Sequence, residues 1–82
     1  MGRVEDVYDV IADVLESGQV RVDPGLRLFD LHLLDSLGTV ELIVALEARF
    51  AIAIAPSEVD AQQWATPELI AKFVLARLAH AD

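Results

Sequence analysis

Apolar residues at Val4, Val7, Tyr8, Ile11, Val14 and Leu15 recur at three- and four-residue steps, which predicts a first helix with a single buried face. Glu5 and Asp6 suit the positive start of that helix, and Gly18 is expected at its end. Residues 19–34 carry a Pro24-Gly25 turn signal and then "LRLFDLHLL". Leu26, Leu28, Phe29, Leu31, Leu33 and Leu34 make that stretch too apolar for a solvated linker, so a long loop ordered over the core is expected.

A second helix is expected from Ser36 to Phe50, with Asp35 capping the free amides at its start. Its apolar side chains fall on two arcs. Thr39, Leu42, Ile43, Leu46 and Phe50 form the first and are assigned to the core. Leu37, Val40 and Val44 form the second, flanked by Glu41 and Glu47. A thin core has no second face for that arc, so it is either a docking strip or packing for the long loop.

Phe50, Ile52 and Ile54 alternate like a strand, yet no other segment pairs with them. An extended loop that drops two isoleucines into the core is the better expectation. "SEVD" at 57–60 has capping-box spacing and is expected to open a short third helix. "TPEL" places Thr66 as a cap and Pro67 at the first position of a fourth helix, with Ile70, Phe73, Val74 and Leu78 inward. Trp64, between these helices, is expected to anchor both. The pattern reads as all-α, a small four-helix bundle with a long loop between helices one and two.

Length and charge narrow the functions. Eighty-two residues allow one small domain over 1–82, with a thin core and little room for a walled catalytic pocket. Fourteen acids against six bases give a net charge of −8, which disfavours nucleic acid and anionic lipid and either suits basic patches on other proteins or serves solubility alone. The acidic start is unlike a secretory signal, and no apolar run is long enough to span a membrane. A cytoplasmic monomer without membrane insertion is expected. With no cysteine, any thiol chemistry must use a thiol brought from outside the chain.

The chemistry centres on Ser36, which follows Asp35 and lies four residues beyond His32. A nucleophile elbow needs glycine two residues before and after the serine, but Leu34 stands before it and Gly38 after. His32 is too close in sequence to complete a triad. Asp30, His32 and Asp35 lack a diagnostic metal spacing, and no metal is expected. His80 carries no signal. Two readings of Ser36 remain: a first-turn capping residue, or an attachment point whose phosphodiester would be favoured by the free amides and positive end of the helix. Gly38 stands inside the helix, where glycine costs roughly 1 kcal/mol relative to alanine. Nothing in the pattern asks for it, so close approach of an attached group or a partner to the backbone is its expected reason.

"LLDSLGTVEL" at 33–42, followed by "ALEARF", resembles the phosphopantetheine attachment region of acyl and peptidyl carrier proteins. "LFD" upstream, the glycine two residues after the serine and "WATPELI" at 64–70 are most similar to the D-alanyl carrier proteins. The likeness spans about residues 4–75. It implies a small acidic acyl-carrier-like four-helix bundle that performs no catalysis. It also implies that Ser36 carries 4′-phosphopantetheine through a phosphodiester, with Asp35 serving recognition by the phosphopantetheinyl transferase. The resemblance further implies that Leu37, Val40, Glu41, Val44 and Glu47 form the docking face. An ATP-using D-alanine-type ligase would load the arm's thiol, and a downstream acyltransferase would unload it, as in teichoic acid D-alanylation during cell wall biogenesis. His32 departs from the family, which more usually has glycine there, and the abundance of alanine and arginine leaves another amino acid open as cargo. An acyl carrier for fatty acid or polyketide synthesis is the alternative, and an unmodified interaction module is the third reading.

Overall fold

The computed structural model describes residues 3–60 and 62–79, so His80 lies outside the described residues. Helix α1 spans Arg3–Leu15, α2 Gln19–Val22, α3 Ser36–Phe50 and α4 Pro67–Ala79, with a short 3₁₀ turn at Pro56–Glu58. The described residues contain no strand. Helix α1 packs against both α3 and α4. Between them lies one apolar cluster built from Val7, Ile11, Leu42, Leu46, Ile70 and Val74, with Leu28 from the long loop closing one side. The all-α architecture matches the expectation from periodicity.

Helix α1 stops earlier than Gly18 suggests. Glu16 takes a left-handed φ of 53°. The Ser17 N–H then donates to the Ala12 carbonyl at 3.0 Å and the Glu16 N–H to that of Asp13 at 3.4 Å. This is the Schellman pattern, with a glutamate where glycine is commonest. Gly18 instead opens α2, a four-residue helix within the expected loop, whose Val20 is buried.

The long loop is ordered, as its apolar content requires. Leu26, Leu28 and Leu34 are buried, and backbone bonds tie the loop to the start of α4. The Leu28 N–H donates to the Ala65 carbonyl at 2.9 Å, and the Glu68 N–H to that of Pro24 at 3.0 Å. Ala51, with φ 55° and ψ 46°, ends α3 and turns the chain into the extended run that buries Ile52 and Ile54.

The third helix differs from expectation. Ser57 caps nothing there, because Pro56 sets the first position of the 3₁₀ turn and Ala55 stands before it. Glu58 accepts from the Ala55 N–H at 2.9 Å and pairs with Arg77 of α4. The Arg77 hydrogen bond, reinforced by that of Ala55, holds the Glu58 carboxyl below its ordinary range. Arg77 also donates to the Ala53 carbonyl at 2.9 Å, so one guanidinium fastens the whole connection to α4.

Trp64 is fully buried, edge-on to Phe73 at 5.7 Å between ring centres. It anchors the approach to α4 as expected. The Thr66 hydroxyl oxygen accepts from the Leu69 N–H at 3.2 Å, and Pro67 occupies the first helical position.

Candidate functional site

The site is assembled at the amino-terminal end of α3. Asp35 is extended, and its Oδ1 accepts from the Gly38 N–H at 2.7 Å. The Thr39 hydroxyl donates to the Asp35 carbonyl, also at 2.7 Å. Asp35 therefore caps the helix, and neither bond uses Ser36. The serine is exposed in the first turn, beside amides that have no partner within the helix.

Gly38 has a structural reason that the sequence pattern does not reveal. A β-carbon there would come within 3.1 Å of Asp35 Oδ1, crowding the capping carboxylate. The glycine lets the cap close tightly on the helix start. Upstream, His32 holds a left-handed φ of 59°, a conformation that glycine adopts without steric cost. The loop thus keeps a glycine-like bend without the glycine, and the His32 N–H donates to the Phe29 carbonyl at 3.1 Å.

Next to Ser36 lies an open cavity of about 240 Å³, lined by Phe29, Ser36, Thr39, Val59 and Asp60. Phe29, Val59 and Asp60 were not among the site residues expected from sequence. They come from segments that are distant in the chain, and the only signal was a phenylalanine in a loop.

The second arc of α3 is outside the core. Leu37, Val40 and Val44 are 70%, 52% and 59% exposed, and the loop does not cover them. Glu41 is exposed beside them. Glu47 is half-buried and turned partly inward, where its Oε2 accepts from the Ile54 N–H at 2.9 Å. It helps to hold the extended run after α3, a duty the sequence does not announce.

Among the described residues nothing engages the Ser36 hydroxyl, which lies at the positive end of a helix, beside a cavity and with an apolar strip along the same helix. Among the described residues no His, Cys, Asp or Glu cluster suits a metal ion, and no helix is long and apolar enough to cross a membrane. Comparison with known proteins agrees with the geometry. The model of the phosphopantetheine attachment site family matches residues 5–74. A D-alanyl carrier protein of Bacillus velezensis is 44% identical over 66 residues, covering 80% of this chain and 85% of the relative. Those of Bacillus subtilis and Listeria innocua are 42% and 39% identical over the same shares of both chains. The chain therefore belongs to the phosphopantetheine-attachment family and, within it, to the D-alanyl carrier proteins.

Proposed function

We propose that Ser36 is the residue that carries 4′-phosphopantetheine, and that residues 1–82 act as one carrier domain for an activated amino acid. The observation that supports this is the exposed Ser36 in the first turn of α3, free of the capping bonds that Asp35 takes on. The residues fit the group. The helix start favours the phosphodiester, and the Phe29 and Val59 walls of the adjoining cavity suit the apolar part of the arm. When bound, the arm supplies the thiol on which an acyl thioester forms.

The chain's own residues position this chemistry. Asp35 fixes the helix start, so the Ser36 hydroxyl has one defined approach for the transferase. During attachment that hydroxyl loses its proton and takes the phosphopantetheinyl group of coenzyme A, and adenosine 3′,5′-bisphosphate leaves. Leu37, Val40 and Val44 present an apolar strip with Glu41 beside it, a surface suited to a partner with an apolar pocket and basic rim. Glu47 belongs to that face while also bracing the following loop. The partners in this reading are the transferase, an ATP-using amino acid ligase and a downstream acyltransferase, met by a cytoplasmic monomer.

The relatives' names supply the cargo, D-alanine. The test is intact mass. Ser36→Ala is expected to keep the wild-type circular dichroism spectrum and to gain no mass from coenzyme A and a phosphopantetheinyl transferase. Modification of the variant would move the site to Ser17 or Ser57. Loading of the holo protein by a D-alanine-type ligase, in preference to long-chain acylation, checks the cargo.

A further inference from the structure

The cavity beside Ser36 does not stand alone. Phe29, which walls it, also walls a second cavity of about 350 Å³ lined by Arg27, Asp30, Ala65 and Thr66. Phe29, which is half-buried, belongs to the lining of both, and the first is also lined by Ser36, the proposed attachment residue. The first has apolar faces from Phe29 and Val59 and a hydroxyl from Thr39. The second has the charged side chains of Arg27 and Asp30 in its lining. There Arg27 and Asp30 approach to 3.5 Å while both remain largely exposed, a weak pair whose carboxylate is open to a competing cation. The Thr66 oxygen already accepts from the Leu69 N–H, which leaves its hydroxyl proton to donate.

We propose that the arm on Ser36 lies back along this track past Phe29, and that a loaded amino acid rests at the second cavity with its α-ammonium paired to the Asp30 carboxylate. The proposal rests on the carrier reading and adds a resting site that recognises the charge of the cargo. A phosphodiester stays at the amides of the α3 start, because the Asp60 carboxylate repels it from the first cavity. The dimethyl group and amides that follow it match the Phe29, Val59 and Thr39 surfaces. An amino acid thioester ends in a cation, whereas a plain acyl thioester of the same length does not. Only the former is held by Asp30. Asp60 is a poorer partner, since its Oδ1 accepts from the Gln63 N–H at 2.7 Å and it flanks the phosphodiester end.

The test uses the full chain labelled with ¹⁵N and converted by a phosphopantetheinyl transferase with coenzyme A, propionyl-coenzyme A or D-alanyl-coenzyme A. Each product is verified by intact mass. All three forms are expected to shift the amides of Phe29, Thr39 and Val59. The D-alanyl form alone is expected to shift those of Asp30 and Thr66 further. Asp30→Asn, an exposed and conservative change, is expected to abolish that extra shift while preserving attachment and the shifts at Phe29. Shifts confined to residues 35–40 in every form would overturn the track. Equal shifts at Asp30 and Thr66 in the propionyl and D-alanyl forms would overturn the charge recognition. A chain that gains no mass from any of the three donors would instead overturn the carrier reading, and the resting site with it.

Discussion

Helices α1 and α3 are of similar length and pack against each other, yet they treat their apolar residues differently. In α1 the residues Val7, Val10 and Ile11 are buried, and the opposite side is charged. In α3 only Leu42, Ile43 and Leu46 are buried, while Leu37, Val40 and Val44 stay in solvent. The first helix uses its apolar surface to fold, apart from Val4 at its start, which is exposed and not on the buried face as expected. The second divides it between folding and an exposed strip, the surface proposed above for docking. A strip that costs solubility and gives no packing is readily explained by intermittent contact.

Substitution is expected to separate the two uses. Ile11→Ala in α1 and Leu46→Ala in α3 remove fully buried side chains and are each expected to cost about 2–5 kcal/mol. That is a large share of the ~5–15 kcal/mol typical of a folded domain, so thermal melts of both variants should fall steeply. Val44→Asp, two residues before Leu46 and on the other side of the helix, is expected to change stability by no more than about 0.5 kcal/mol. Loading of its arm by the cognate ligase should instead drop at least about tenfold, or ~1.4 kcal/mol. A Val44→Asp protein that is destabilised and still loaded normally would place the strip in the core and erase the contrast.

Two smaller effects sharpen it. Glu47 serves the fold as well as the proposed docking face, so Glu47→Ala is expected to cost about 1 kcal/mol through the lost bond to Ile54. Glu41→Ala should leave the melt unchanged, and the difference between the two melts measures that second duty. At the end of α3, Ala51→Gly relieves a left-handed alanine. It is expected to stabilise by about 0.5 kcal/mol, because the relief of roughly 1 kcal/mol is partly offset by greater freedom of the unfolded chain. A lower melting temperature for this variant would show that the methyl group contributes packing that outweighs its strain.

Much of the fold was legible because its signals are local. Asp35, Thr66 and Pro67 mark helix starts by their own chemistry, and the periodicity of α1 and α3 shows in adjacent turns. Helix α2 was not legible. "QVRV" has four residues, too few to show a period, and it is held by the burial of Val20. The register of the 3₁₀ turn differs from the serine-cap expectation because Pro56 and the reach from Arg77 to Glu58 outweigh that cap. At the site, Ser36, Asp35 and the exposed strip lie on one helix and could be read together. Phe29, Val59 and Asp60 meet only after three segments have folded, so no spacing announces them. The second duty of Glu47 is hidden for a similar reason, since the left-handed turn at Ala51 brings Ile54 back to it.

The backbone bonds from Leu28 to Ala65 and from Glu68 to Pro24 also set a condition on time. A chain made from its amino terminus emerges with Ser36 long before the start of α4 exists. Until then the loop leading to the serine has no strap, and the helix start has lost one of the supports that give it a fixed approach. The chain must be made through the start of α4 before the hydroxyl is presented as it is here. An enzyme that reads the folded helix start, and not the letters around Ser36, would thereby modify chains that have reached α4 and pass over shorter ones.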